Sequence, residues 1–180
     1  MSTTTRELLI TAATALLDAG GPEAVTLREV GRRAGVSHNA PYKHFADKQA
    51  LLATVAAREL SEYGTLLAVE GDLAASMGSY IHRALRFPAR FRLVYGPWTV
   101  ESTELAQSAE AAWVALLATI VAAQEAGRLP AGSSSRLANL IRSVAHGAID
   151  LALAGHLSKG DEPTTPEQLV DDFVALLRVV

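Results

Sequence analysis

One stretch, residues 26–52 (TLREVGRRAGVSHNAPYKHFADKQALL), restricts the fold of this chain more than any other. Thr26-Leu27-Arg28-Glu29 is a capping box: the Thr26 hydroxyl can accept from the amide of Glu29, and the Glu29 side chain can reach back to the amide of Thr26. A short helix is therefore expected from Leu27, with Leu27, Val30 and Ala34 on its inner face at i, i+3 and i+7. Gly35 follows, where a left-handed turn needs a residue without a Cβ. Val36 plugs that turn, and Ser37 can cap a second helix carrying His38, Asn39, Tyr42, Lys43 and His44. Helix, glycine-containing turn and short polar helix make a helix-turn-helix, whose second helix enters the major groove of DNA.

Gly35-Val36-Ser37, Tyr42-Lys43-His44-Phe45, Asp47-Lys48 and Leu51-Leu52, in register over about the first third of the chain, resemble the DNA-binding signature of TetR-family (tetracycline-repressor-type) transcriptional regulators. Two positions depart from it. Gly31 stands where the family often has Ala, at a cost of roughly 1 kcal/mol of helix propensity. Pro41 stands inside the second helix, where Leu is more frequent. With Ser37 as the cap, Pro41 deletes one early backbone bond; with the cap one residue later it falls in the first turn and costs little.

A chain of 180 residues, 49% hydrophobic, builds one or two small domains. It has no cysteine, which excludes disulfides, thiol catalysis and thiolate-bound metals. The N-terminus lacks a basic segment followed by an apolar run, so no signal peptide is expected. Uncharged runs such as Ala111–Ala123 read as too short to span a bilayer, so no membrane partner is expected and a reducing cytoplasm is the natural location. The net charge of −3 is unevenly spread: residues 1–50 carry six Lys and Arg against five Asp and Glu, and the acidic excess lies beyond them. A mildly basic head on an acidic body suits a DNA reader.

Thr4-Thr5-Arg6-Glu7 is a second capping box, opening a helix with Leu9, Ala12, Ala13, Leu16 and Leu17 in its stripe and ending at Gly20-Gly21-Pro22. Asp47 caps a helix from Lys48 to about Leu67, with Gly71-Asp72 after it. Helices are then expected over 73–87, 89–95, 102–126 and 136–157, with Gly132-Ser133-Ser134-Ser135 as a linker-like tract. After a break at Gly160–Pro163, Thr165-Pro166-Glu167-Gln168 opens the last helix, with Leu169, Phe173, Leu176, Leu177 and Val180 on one side. That gives an all-α chain of about nine helices. The resemblance implies the same plan: residues 1–47 as the DNA-binding domain and 48–180 as a ligand-binding and dimerisation domain whose first helix is the connector.

Residues 136–157 are apolar nearly all round, which predicts burial on more than one side, with Arg142, His146 and Asp150 as an ordered polar stripe beside Asn139. In TetR-like proteins the last two long helices pair across a two-fold axis. The resemblance thus implies a homodimer face holding Leu140, Val144 and Leu151 of one helix and Leu169, Phe173 and Leu177 of the other. Ala145-His146-Gly147 is similar to the Trp-His-Gly (WHG) motif of one class of TetR C-terminal domains, with Ala in place of Trp.

Ser37, His38, Asn39 and Lys43 are the candidate groove residues, since Asn pairs with adenine and Lys with guanine; His44 lies beside them. The resemblance assigns Thr26, Arg28, Tyr42 and Lys48 to phosphates of a double-stranded operator. Tyr80, Tyr95, Trp98, Trp113 and His146 are candidates for a small-molecule effector pocket, with ordinary core packing as the other reading of the aromatics. The turn Tyr95-Gly96-Pro97-Trp98 is its candidate mobile wall. No metal spacing, phosphate loop or nucleophile motif is present, so neither metal nor cofactor is expected. His146 and Asp150 leave open a small helical enzyme, and a body controlled by a protein partner is a further alternative. The reading that joins these features is a homodimeric, ligand-responsive regulator that represses from a near-palindromic operator.

Overall fold

The structure, a computed structural model, describes residues 4–69, 72–159 and 162–177. All elements among these residues are α-helices: α1 Thr5–Ala24, α2 Leu27–Arg33, α3 Ala40–His44, α4 Lys48–Val69, α5 Leu73–Arg86, α6 Pro88–Val94, α7 Thr103–Glu125, α8 Ser134–Leu153 and α9 Pro166–Leu177. The expected breaks at Gly71 and Gly160, and Val180 on the last stripe, lie outside the described residues.

The three predicted capping boxes form to different degrees. Thr4, Thr26 and Thr165 each accept from the amide three residues on, at 3.3, 3.2 and 3.2 Å. Only Gln168 reaches back, accepting from the amide of Thr165 at 2.8 Å. Glu29 instead takes Arg32 at 2.6 and 2.8 Å, and Glu7 takes Arg58. A guanidinium within reach offers a charge-assisted pair that a lone amide cannot match, and neutral Gln168 has no such competitor. The Arg32 hydrogen bonds hold Glu29 below the usual carboxylate range.

By packing, the chain falls into two compact units: Met1–Ser61 with Phe87–Ala109, and Glu62–Arg86 with Glu110–Val180. The division falls inside α4 and inside α7. In the first unit, Leu9, Ile10, Ala13 and Leu17 of α1 bury against Leu27 and Val30 of α2, Phe45, and Leu51, Leu52 and Val55 of α4. Arg90 of α6 is anchored there by Asp18 at 2.8 Å and by Glu59, 3% exposed, at 3.6 Å, with its guanidinium 4.0 Å from the Phe87 ring centroid. α1 is interrupted at Gly20-Gly21, as its composition predicts: Gly20 and Gly21 have non-helical backbone angles.

In the second unit α8 and α9 pack on each other and both on α5. The helix expected over 136–157 runs Ser134–Leu153. Half of the supposed linker tract belongs to its start, because Ser133 caps it by accepting from the amide of Arg136 at 3.3 Å. Within the single chain this helix is buried along one side. Leu137, Ala138, Ile141, Ala145, Ala148 and Ile149 form a single buried row, while Leu140 and Leu151 are exposed. α7 also corrects the length argument about membranes. Its 23 residues, with mean hydropathy 1.5 over a window tolerating its few charges, are long and apolar enough to cross one by length and composition.

Candidate nucleic-acid interface and effector sites

The turn after α2 closes as a Schellman motif. Gly35, at φ +67°, donates to Arg32 O at 3.3 Å and Val36 donates to Gly31 O at 3.2 Å. α3 then begins later than expected. Its N-cap is Asn39, with no side-chain capping bond, so Ser37 does not cap it, and Ser37, His38 and Asn39 precede the helix instead of lying on it. Pro41 therefore sits in the first turn, where its missing N–H has no acceptor to lose. Both departures from the family pattern now have one cause. A Cβ on Gly31 would stand 2.8 Å from Cγ of Pro41, so the glycine makes room for the proline ring. Both residues are buried.

The predicted DNA residues share one solvent-facing tract. Thr26, Arg28, Ser37, His38, Asn39, Tyr42, Lys43 and His44 are all exposed, while Leu27, Val30, Pro41 and Phe45 between them are buried. The His38 ring stacks on Tyr42 with centroids 6.0 Å apart, and its Nδ1 lies 3.3 Å from Asn39 Oδ1. Asp47 accepts from the amide of Ala50 at 2.8 Å and so fixes the start of α4. Lys48, half-buried, holds its Nζ 3.7 Å from Glu23 Oε2.

The five predicted effector residues divide between the units. In the second unit, Tyr80 is buried against Tyr63, ring centroids 4.8 Å apart, and its hydroxyl lies 3.4 Å from the ring nitrogens of His146. His146 Nδ1 is 3.0 Å from the carbonyl of Arg142. Nδ1–H donates to that carbonyl, and Nε2 is then the acceptor for Tyr80. Burial pushes the His146 pKa down, partly offset by the backbone bond, which suits a neutral ring. Arg142 is a neighbour of Trp113: its guanidinium lies 5.2 Å from the ring centroid and donates to Asn139 at 2.9 Å. The Arg142-His146-Asp150 stripe thus serves three surroundings, with Asp150 exposed and acting on His146 only as a nearby charge. In the first unit, Tyr95 is exposed and edge-on to Phe91 at 5.3 Å, and Trp98 donates to Val94 O at 3.4 Å while packing on the core.

Among the described residues are two clefts of about 230 Å³ each. One, in the second unit, is floored by Leu73, Met77, Val170 and Val174, with Asp72, Asp171 and Arg128 as its charged members. The other, in the first unit, is lined by Trp98 together with Gln49, Leu52, Arg92 and Leu93. Tyr80, Tyr95, Trp113 and His146 line neither. Sequence reasoning missed Arg92 and Gln49 because the break in α1 and the turn after α6 bring them together from separate segments. Of the predicted dimer residues, Leu140 and Leu151 are 41% and 45% exposed, and Val144, Leu169, Phe173 and Leu177 are half-buried. Leu176, 68% exposed, joins them as the most exposed large apolar side chain described. Among the described residues no group of three His, Asp or Glu side chains could hold a metal ion.

Residues 9–55 match the family described as "Bacterial regulatory proteins, tetR family", and residues 73–177 match "Tetracyclin repressor-like, C-terminal domain". Among solved structures, a protein of unknown function from Rhodococcus sp. RHA1 superposes with a TM-score of 0.83 at 28% identity, covering 99% of this chain and 95% of that one. A tetR-family transcription regulator from Shewanella sp. PV-4 gives 0.66 at 17% identity over 98% of both chains. The SmeT–triclosan complex gives 0.59 at 20% identity over 97% of this chain and 91% of that one. No curated protein matches the chain.

Proposed function

This chain belongs to the TetR family of bacterial regulatory proteins, and from that premise we propose that it is a homodimeric, effector-released repressor of transcription. The observation that carries the reading is the exposed polar tract Ser37–His44 on a buried helix-turn-helix frame. Two such heads, related by a two-fold axis, read half-sites one helical turn or its multiples apart on a near-palindromic operator. Asn39 and Lys43 read bases, with Ser37, His38 and His44 at the groove. Thr26, Arg28, Tyr42 and Lys48 hold phosphates and set the register.

The exposed leucines Leu140, Leu151 and Leu176 support α8 and α9 as the dimer face. The polar-apolar cluster of Tyr80 and His146, with Trp113 on the same unit, is the candidate effector wall of the body; Tyr95 and Trp98 lie on the other unit. The triclosan complex of SmeT, a structural neighbour, supports a small apolar effector. Such a molecule releases DNA only by binding the DNA-incompetent conformation more tightly. The proposal places the protein in the cytoplasm, with neither cofactor nor catalytic activity. Selection of genomic fragments by the purified protein, read by sequencing, tests it. An enriched motif with two inverted half-sites is the expected result, and recovery of fragments without any shared motif refutes the reading.

A further inference from the structure

In the first unit the break in α1, the start of α4, α6 and the turn that follows it border an open cleft of about 230 Å³. Leu52, Leu93 and the rings of Pro22, Pro97 and Trp98 supply its apolar surface. Gln49 and Arg92 supply its polar groups, and Arg92 is the one charged residue in the lining. α6 thus uses its two arginines differently. Arg90 is neutralised by Asp18 and Glu59, whereas Arg92 is exposed and has no carboxylate partner among the described residues. The Trp98 N–H is already committed to Val94 O, so Trp98 offers the cleft a ring and not a donor.

We infer that this cleft is a binding site for a small monocarboxylate with an apolar tail. A guanidinium forks onto a carboxylate through two parallel N–H donors, and the amide of Gln49, in the same lining, can add a third. The tail lies against Leu52, Leu93 and Trp98. A cationic ligand would meet an unneutralised charge, and an inorganic anion would leave the apolar wall unused. Gln49 and Leu52 belong to the opening turns of α4, directly after Lys48, so occupancy bears on the element that presents Lys48 to DNA. In that coupling alone the site rests on the function proposed above; it is a second ligand site, on the other unit from the Tyr80–His146 cluster.

Calorimetric titration of the wild-type chain with phenylacetate, and with its neutral counterpart phenylacetamide, tests the site. Saturable binding of phenylacetate is expected, weaker by roughly tenfold or more for phenylacetamide and for phenylacetate on Arg92→Gln. Arg92→Lys, which keeps the charge but not the fork, should fall between. The Trp98 indole N–H resonance should shift with occupancy and the Trp113 resonance should not. No saturable binding, equal affinity for acid and amide, or unchanged affinity in Arg92→Gln each overturns the assignment. Failure of the DNA reading would instead appear as absence of a selected motif while phenylacetate binding persists.

Discussion

The contact between Gly31 and Pro41 makes a quantitative prediction. In isolation, Gly31→Ala should stabilise α2 by about 1 kcal/mol, because glycine is that much poorer than alanine in a helix. In this chain the new Cβ would stand 2.8 Å from Cγ of Pro41, a ring atom tied to the backbone of α3 and unable to swing aside. Overpacking of this kind costs about 1–3 kcal/mol. The net effect of Gly31→Ala is therefore roughly 0–2 kcal/mol of destabilisation, with α3 displaced and operator affinity reduced. Removing the ring with Pro41→Ala should restore the helix gain, so that Gly31→Ala becomes stabilising by about 1 kcal/mol in that background. Urea unfolding of the four proteins, at one fixed protein concentration, closes the double-mutant cycle. A coupling energy of about 1–3 kcal/mol is expected. Additivity within about 0.5 kcal/mol would show that the two residues are not packed as described and would refute the argument.

Lys48→Ala should weaken binding to every DNA sequence and reduce the salt slope by about one unit, and an unchanged slope removes Lys48 from the phosphates. Asn39→Ala should lose about 1–3 kcal/mol of discrimination at one operator position, while equal losses on specific and random DNA show that it reads no base. Leu140→Glu and Phe173→Glu should each lower dimerisation and operator affinity together; sedimentation of a folded wild-type monomer at micromolar concentration counts against the α8–α9 face. Burial holds His146 below its ordinary value of 6.5, so as pH falls through 6.5 the unfolded chain takes the proton first. The stability this contributes is complete above 6.5 and is lost as pH falls toward the folded-state value. His146→Asn should flatten the acid side of the stability curve, and parallel curves for the two proteins dispose of the argument.

Local chemistry was well written in the chain. The Thr4, Thr26, Asp47 and Thr165 caps, the glycine turn at Gly35 and the break at Gly20-Gly21 each depend on neighbours within a few residues, and the structure forms all of them. What was misread depends on distant partners. Glu7 leaves its cap for Arg58, 51 residues away, and no local pattern announces that competitor. The onset of α3 turned on whether the Pro41 ring could dock on α2, which required seeing Gly31 as space and not as lost propensity. For α8, a helix apolar on every side, only one row is buried within the chain; Leu140 and Leu151 face outward, where the proposed dimer face would cover them. The neighbours of His146 and Trp113 follow from the packing of α8 against α5 and α7, which periodicity within one helix does not specify.

The chain's passage out of the first unit at Ser61 and back into it at Phe87 bears on how this protein could be re-engineered. A reading head cut out at residue 61 would part Glu59 from Arg90 and strip Ala89, Leu93 and Trp98 from the face they cover. Separating a nearly buried carboxylate from its guanidinium costs several kcal/mol. A chimera that grafts this operator specificity onto another sensor must therefore carry two separated segments of sequence, since the interrupted α1, the α6 anchor and the turn after it are inherited as one piece. Tandem swapping at a single junction, the usual route for regulators with a contiguous head, would deliver an incomplete part.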